Sequence, residues 1–298
     1  MPRISVIIPT FNCAEYLSSA LDSVLAQTMD DYDIVVIDDG SSDNTKQALL
    51  RYRENSKVTY IYQENRGLPG ARNAGVAQSD SEYLAFLDAD DQLRPDALQQ
   101  MTEAVSNMTA SWCLVDILKC KPEGKEVQHT VIPEGNLYYG ILRDDFIRRG
   151  MFFRRDSFLS VGMYDEQMKY REDWDLNIRM FEKGFPYSYI PEPLYLYTWR
   201  EGSITTGKRA QVMAFTEMLL RKHHKARADE GDKVASEIYS HAMWGLSRDC
   251  LYEVRDYQWA MRCACESVRY DFKPARLLHP VAYQLQRLGH QIAELSGM

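Results

Sequence analysis

A chain of 298 residues, 45% hydrophobic and 26% charged, has room for one large globular domain or a catalytic domain with a small appendage. Its formal net charge of −8 is unevenly spread: residues 1–207 carry 21 Lys and Arg against 32 Asp and Glu, and residues 208–298 carry 14 against 11. The first part therefore has no basic stripe to grip nucleic-acid phosphates, and the whole chain has no run near the roughly 18 apolar residues of a membrane span.

The opening MPRISVIIPTFN has a short apolar run and no cleavage site, so no leader is expected. The six cysteines (Cys13, Cys113, Cys120, Cys250, Cys263, Cys265) lack metal-ligand spacing, which points to reduced thiols in a cytoplasmic protein. ISVII reads as a buried strand, and Leu17, Ala20, Leu21, Val24 and Leu25 follow at helical spacing. DIVVID is a second strand, and SSDNTKQALLRYR a helix with Ser42 to Thr45 offering caps. VTYIYQ is a third strand, GLPGARNAGVAQS a helix opened by Gly and Pro, and EYLAFLD a fourth strand. Strands alternating with helices predict an α/β fold with a mostly parallel, doubly wound sheet. Beyond Thr109 the pattern loosens, with a strand at SWCLVDILK, an extended GKEVQHTVIPEG and a helix at EDWDLNIRMFEKG stopped by Gly184. After YTWREGSITT the chain reads as helical over 209–228, 232–252 and 256–270, then a break at Pro274 and Pro280 and a last helix to about Leu295.

In such sheets ligands bind beyond the carboxyl ends of the strands, and the polar clusters PTFN, DDGSSD and DADD fall there. If the fourth strand persists, Asp88 and Asp90 face one way and Asp91 the other. Two hard oxygen ligands on one side suit magnesium or manganese; the alternative is a loop whose aspartates cap the helix near Pro95. Neither GxGxxG nor GxxxxGK[ST] is present, so phosphate would be met by a metal and an arginine. Arg66 and Arg72 are the candidates, with Gly67 and Gly70 allowing close approach, although each also reads as a helix-surface arginine. Asp38 and Asp39 alone would suit a phosphoacceptor signalling domain. The third strand, however, ends in Gln63, Glu64 and Asn65, no suitable Lys follows, and the chain is too long.

Five blocks, SVIIPTFNCAEYLSSALDSVLAQT, DIVVIDDGSSDNT, NRGLPGARNAG, YLAFLDADDQLRPDAL and EDWDLNIRM, resemble glycosyltransferase family 2 in order and spacing over residues 3–205. The resemblance implies a GT-A fold, a Rossmann-like mixed, mostly parallel sheet flanked by helices, with a C-terminal α-helical extension. It implies a catalytic domain over 1–207 (donor half 1–108, acceptor half 109–207) and an extension over 208–298. The implied activity is inverting, metal-assisted transfer of a hexosyl or N-acetylhexosaminyl group from a nucleotide-diphosphate sugar, UDP-linked, to a saccharide or lipid-linked saccharide in surface polysaccharide or glycan synthesis. A non-catalytic sugar-nucleotide binding protein and a sugar nucleotidyltransferase are the rivals; the second would need a Gly-rich basic loop where PTFN stands.

Carried over by position, Pro9, Thr10, Phe11, Asn12, Glu15, Asp39, Gly70, Arg72 and Asp88 would bind the donor, with Asp39 accepting from the pyrimidine and Arg72 touching base or diphosphate. Asp90, with Asp88, would ligate Mn or Mg. Asp173 would be the base, with Glu172 orienting acceptor or metal waters; the other reading of Asp173 is a helix N-cap. Arg66, Asp91, Trp174, Trp199 and Arg200 are further diphosphate or acceptor contacts, the tryptophans being equally readable as core. Where many relatives carry a metal-reaching His, this chain has YTWREGSITT, with Arg200 and no His. Processive relatives have QxxRW and transmembrane helices, which this sequence lacks, so a cytoplasmic protein is expected. The tail is expected to pack on the catalytic domain, shape the acceptor side or form a homodimer. Its Arg221, Lys222, Lys225 and Arg227 could meet lipid headgroups at the inner face of the membrane, and its histidines form no metal set.

Overall fold

The computed structural model describes residues 2–107, 109–147, 149–199 and 208–296, the side chains of Arg149 and of 288–296 excepted. The chain divides into two compact units, Met1–Ile141 with Asp145–Glu201 and Leu142–Asp144 with Gly202–Met298.

The first unit is built on a nine-stranded mixed sheet in the order β3-β2-β1-β4-β8-β6-β9-β5, with β7 paired to β6. Its parallel part is β1 (Ile4–Thr10), β2 (Tyr32–Asp38), β3 (Val58–Tyr62) and β4 (Tyr83–Phe86). The remainder is β5 (Gln92–Leu93), β6 (Trp112–Lys121), β7 (Gly124–Gln128), β8 (Arg149–Arg154) and β9 (Tyr187–Thr198). β8 runs antiparallel between β4 and β6, and β9 parallel to β6.

Alternation along each strand sorts side chains between two faces. Ile4, Val6 and Ile8 of β1, with Ile34 and Val36 of β2, pack with Leu17, Leu21 and Val24 of helix α1 (Ala14–Leu25) and with Leu98, Met101 and Val105. The last three lie on a helix spanning Ala97–Asn107. On the other face Val35 and Ile37 meet Ala71. Each fully buried aliphatic side chain of this kind contributes roughly 1.5–3 kcal/mol. Ala71 belongs to the helix Leu68–Ala77, which comes so close to β1 that a Cβ on Gly75 would stand 2.4 Å from Ile7 Cγ2.

The helix expected over 41–53 is shorter. Only α2 (Thr45–Ala48) and a following 3₁₀ turn, Leu49–Tyr52, form. Asp43 explains the late start, because its carboxylate accepts from the backbone of Ala14 and Thr45 and from the Thr45 hydroxyl. In chain order the other helices of this unit are α3 (Leu68–Ala77), α4 (Ala97–Asn107), α5 (Leu137–Arg143), which runs into the second unit, α6 (Arg155–Ser160) and α7 (Glu172–Glu182).

The second unit is helical: α8 (Arg209–Leu219), α9 (Ala226–Asp229), α10 (Lys233–Asp249), α11 (Tyr257–Tyr270) and α12 (Ala275–Ser296), with π turns at Leu220–Lys225 and Cys250–Val254. Pro274 stands before α12, but Pro280 does not break it. A proline in the second turn removes one hydrogen bond, and the Pro280 ring is buried.

Candidate active site

The crevice forms where β1, β2 and β4 end. Thr10, last in β1, is 2% exposed, and its Oγ1 makes no hydrogen bond among the described residues. Phe11 beside it is 52% exposed, a large apolar ring left to solvent. Asn12 has a positive φ of 51°, and its backbone N–H donates to Ser41 Oγ at 2.9 Å while its Oδ1 accepts from Ser42 N at 2.8 Å. Glu15 is exposed in the first turn of α1.

Asp39 is buried, and its carboxylate holds the next loop in place. Oδ1 accepts from Gln63 Nε2 (2.6 Å) and Arg66 N (2.9 Å), and Oδ2 from Gly67 N (2.8 Å). Three of a carboxylate's roughly four acceptor sites are thus used within the protein. Gly67 caps α3 with φ 83°, a conformation that glycine adopts without strain.

The centre of the crevice is Arg72, inside α3 and 2% exposed. Its Nη2 donates to Asp88 Oδ1 at 2.9 Å, and its Nη1 to Asp173 Oδ1 at 2.9 Å and Glu172 Oε1 at 3.2 Å. The guanidinium carbon lies 4.9 Å from the centre of the Tyr164 ring. Tyr164 is itself packed edge-on against Phe86 and Phe158. Asn73 ties Tyr164 to α3, donating to its carbonyl at 2.9 Å and accepting from its N–H at 3.1 Å. A cation so buried requires close anionic partners. Burial alone would lower the Arg72 pKa, but Asp173, Tyr164, Asp88 and Glu172 raise it well above the ordinary value.

Glu172 and Asp173 open α7, whose N-cap is Arg171 in the left-handed conformation (φ 65°). Asp173 is therefore a first-turn residue, favoured by the helix dipole, and not the cap. Its side chain is 40% exposed against 10% for Glu172. Burial, then the neighbouring Asp173, pushes the Glu172 carboxyl up to about 8, with Arg72 pulling it the other way. Glu172 supports the cluster from behind, and Asp173 faces the cleft. Arg72, Asp88, Asp145, Tyr164, Asp173 and Tyr195 are among the residues lining that cleft.

These positions bear on several expectations. Arg72, expected against base or diphosphate, donates in the folded chain to the side chains of Asp88, Asp173 and Glu172. β4 ends at Phe86, so strand alternation does not set the directions of Asp88, Asp90 and Asp91; they lie in a turn closed by Asp91 N donating to Asp88 O at 3.0 Å. Asp91 is 1% exposed and faces inward, accepting from Tyr195 OH (2.6 Å) and Thr198 N (2.7 Å). Tyr195 OH in turn lies 3.3 Å from the Asp88 N–H. Asp90 is half-buried at the turn.

Arg66, expected at a diphosphate, donates from Nη2 to both Glu166 oxygens at 2.8 Å. At Gly70 a Cβ would sit 2.7 Å from Arg66 Cβ, so the absence of a side chain there makes room for Arg66. Pro9 is buried in β1. Trp174 is half-buried with Nε1 donating to Ile141 O at 2.8 Å, and Trp199 is half-buried with its N–H on Cys120 O at 2.9 Å. Arg200 lies outside the described residues. Tyr164, Tyr195, Asn73 and Asp145 were not anticipated, and no local pattern in the sequence marks their place.

Among the described residues no group of three or more His, Cys, Asp and Glu is placed to hold a metal ion, and no helix is long and apolar enough to cross a membrane. In the second unit Arg221 pairs with Glu217 and Glu266, Lys225 with Asp229, and Arg227 with Glu230. The expected headgroup-binding cations are thus largely matched by acids. His224 is buried with Nε2 2.6 Å from Leu142 O, and burial pushes its pKa down to about 4.

Residues 5–162 match the model of the family described as glycosyl transferase family 2. An uncharacterised glycosyltransferase of Nostoc sp. is 48% identical over 103 residues, 34% of this chain and 32% of its own length. The chain thus spans about a third of that relative. Among solved structures, S. aureus TarS 1-349 in complex with UDP-GlcNAc superposes with a TM-score of 0.68 at 17% identity, covering 96% of this chain and 92% of that one. A mannosyltransferase from Pyrobaculum calidifontis in complex with GDP-Man and Mn2+ gives 0.58 at 20% identity, covering 98% and 80%. These likenesses show the GT-A fold.

Proposed function

The chain belongs to glycosyl transferase family 2, and from that premise we propose that it is an inverting enzyme. It takes a sugar from a nucleotide-diphosphate donor, UDP-linked, and places it on a saccharide or lipid-linked saccharide in surface polysaccharide or glycan synthesis. The observation that carries the reading is the half-exposed Asp173 carboxylate, fixed 2.9 Å from Arg72 and lining the same cleft as Asp88. On this reading residues 1–108 bind the donor, 109–207 receive the acceptor and 208–298 extend the chain.

The exposed Phe11 ring offers a face to the base, Asp39 has one acceptor site left for a ring N–H, and the unpartnered Thr10 hydroxyl gains a partner when the nucleotide enters. The UDP reading draws support from the UDP-GlcNAc held by TarS. A divalent cation fits at Asp90, with Asp88 sharing it, because Mg and Mn take one or two carboxylates and complete their shell with phosphates and water. When bound, the ion would offset the charge that grows on the departing diphosphate.

The acceptor hydroxyl loses its proton to Asp173 as its oxygen bonds to the anomeric carbon. The bond from that carbon to the diphosphate oxygen breaks on the opposite side, the nucleoside diphosphate leaves with the electron pair, and an α-linked donor gives a β-linkage. Arg72 holds Asp173 in line and keeps Asp88 aligned on the donor side.

The test is a thermal-shift panel of nucleotide-diphosphate sugars with manganese and with chelator, followed by transfer assays on Asp173→Asn. The variant is expected to keep the donor-induced shift and lose transfer by roughly 10²–10⁴-fold. Undiminished transfer by the variant would remove Asp173 as base. Absence of a shift with every donor, metal or no metal, would remove the donor reading.

A further inference from the structure

Helix α12 carries two unlike faces. Arg276 is 8% exposed and donates to the buried hydroxyls of Ser240 on α10 (2.5 Å) and Ser267 on α11 (2.7 Å). His279 meets the rings of Trp244 and Tyr252, Tyr283 meets Tyr252, and Pro280 is buried. Positions 276, 279, 280 and 283 form the face turned to the rest of the unit. At about 100° per residue, 278, 281 and 285 fall on the opposite side. Leu278 is 67% exposed, Val281 39% and Leu285 64%.

In the sequence the same spacing of three and four continues at Leu288, Ile292 and Leu295. Six apolar residues then repeat every 3.5 positions, which is the seam of a left-handed helix pair and narrower than the stripe a helix needs to pack on its own domain. The positions flanking the seam are Ala282, Gln284, Gly289 and Gln291, none of them charged. Two copies of this helix would therefore meet without like-charge repulsion, and the small residues allow close approach. A bilayer is the poorer occupant. An in-plane membrane helix carries Lys and Arg on its polar face, whereas here Arg276 is already used inside the unit and Arg287 is the one further Lys or Arg in the sequence of the helix.

We propose that the exposed seam of α12 pairs with the same seam on a second copy of this chain, making the protein a homodimer through its last helix. This inference is independent of the transfer reaction.

The experiment is sedimentation equilibrium of the full chain, wild type and Leu278→Glu/Leu285→Glu, with far-UV circular dichroism of each. The wild type is expected to be a dimer and the double variant a monomer with unchanged helical content. Leu285→Ala, a truncation at an exposed position, guards against misfolding of the charged variant and is expected to weaken the dimer by roughly tenfold or more. A wild type that stays monomeric up to about 100 µM, weaker than any useful self-affinity, overturns the proposal. So does a dimer indifferent to both sets of substitutions, or a monomer that floats with neutral or anionic vesicles and loses them on Leu285→Ala.

Discussion

Replacing Arg72 with methionine tests whether this one side chain neutralises the crevice. Methionine fills much of the same volume without charge or donors, so the packing loss is small and the electrostatic loss dominates. The wild-type guanidinium lies 2.9 Å from Asp88, 2.9 Å from Asp173 and 3.2 Å from Glu172, and is 2% exposed. Removing one partner of a buried ion pair costs roughly 3–5 kcal/mol. The lower end applies, because the Asp88 and Asp173 side chains are 22% and 40% exposed and water can reach them. Glu172, pushed up to about 8, is only partly ionised at pH 8 and adds less than the two aspartates. The expected loss is therefore about 3 kcal/mol at pH 8. It falls to about 1 kcal/mol at pH 5, where protonation can neutralise carboxylates left without a cation. Urea unfolding followed by near-UV circular dichroism at the two pH values measures both numbers, and Arg72→Lys should fall between because it keeps the charge and loses the fork. A loss below about 1 kcal/mol at pH 8, or the same loss at both pH values, would refute the reasoning, since a buried counter-ion must show both size and sign.

Two further outcomes are expected. Gly75→Ala puts a Cβ 2.4 Å from Ile7 Cγ2 and 3.2 Å from Ile7 Cγ1, so α3 or the buried Ile7 must shift. The overpacking cost of roughly 1–3 kcal/mol outweighs the gain in helix propensity of about 1 kcal/mol, so the urea midpoint should drop, and an unchanged midpoint would mean that α3 slides freely over β1. Glu172→Gln removes a carboxyl whose folded pKa, about 8, lies above its ordinary 4.5. Such a group gives its full stability below the unfolded value and loses it as pH rises through the folded one, with a slope of at most about 1.4 kcal/mol per pH unit. The wild type should accordingly lose more stability between pH 5 and pH 8 than the variant; parallel curves would show that Glu172 stays ionised across that window.

Most of the parallel half of the sheet was legible because β1, β2 and β4 are buried on both faces, and β1 and β2 read as the apolar runs ISVII and DIVVID. β9 was not read as a strand. Its sequence YSYIPEPLYLYT carries Pro191 and Pro193, which argue against a strand, and the pairing of β6 with β9 does shift register at Val115, Asp116 and Ile117. Long strands on either side of that irregularity absorb the prolines, a tertiary fact that no local window contains. The same limit applies at the crevice. Asp88 and Asp173 stood out as acids at a strand end and a helix start, and Arg72 as a phosphate or base contact, but their pairing did not, because Arg72 and Glu172 lie 100 positions apart. The block NRGLPGARNAG marks Arg66 and Arg72 alike, and nothing local says which of the two is buried. The acidic cluster did carry part of that information, since carboxylates this close favour a nearby cation or donors: in the fold Asp88 accepts from Arg72, and Asp91 from Tyr195 OH and Thr198 N. Arg72 donates to both Asp88 and Asp173, so this one guanidinium ties the turn after β4 to the first turn of α7 in one geometry.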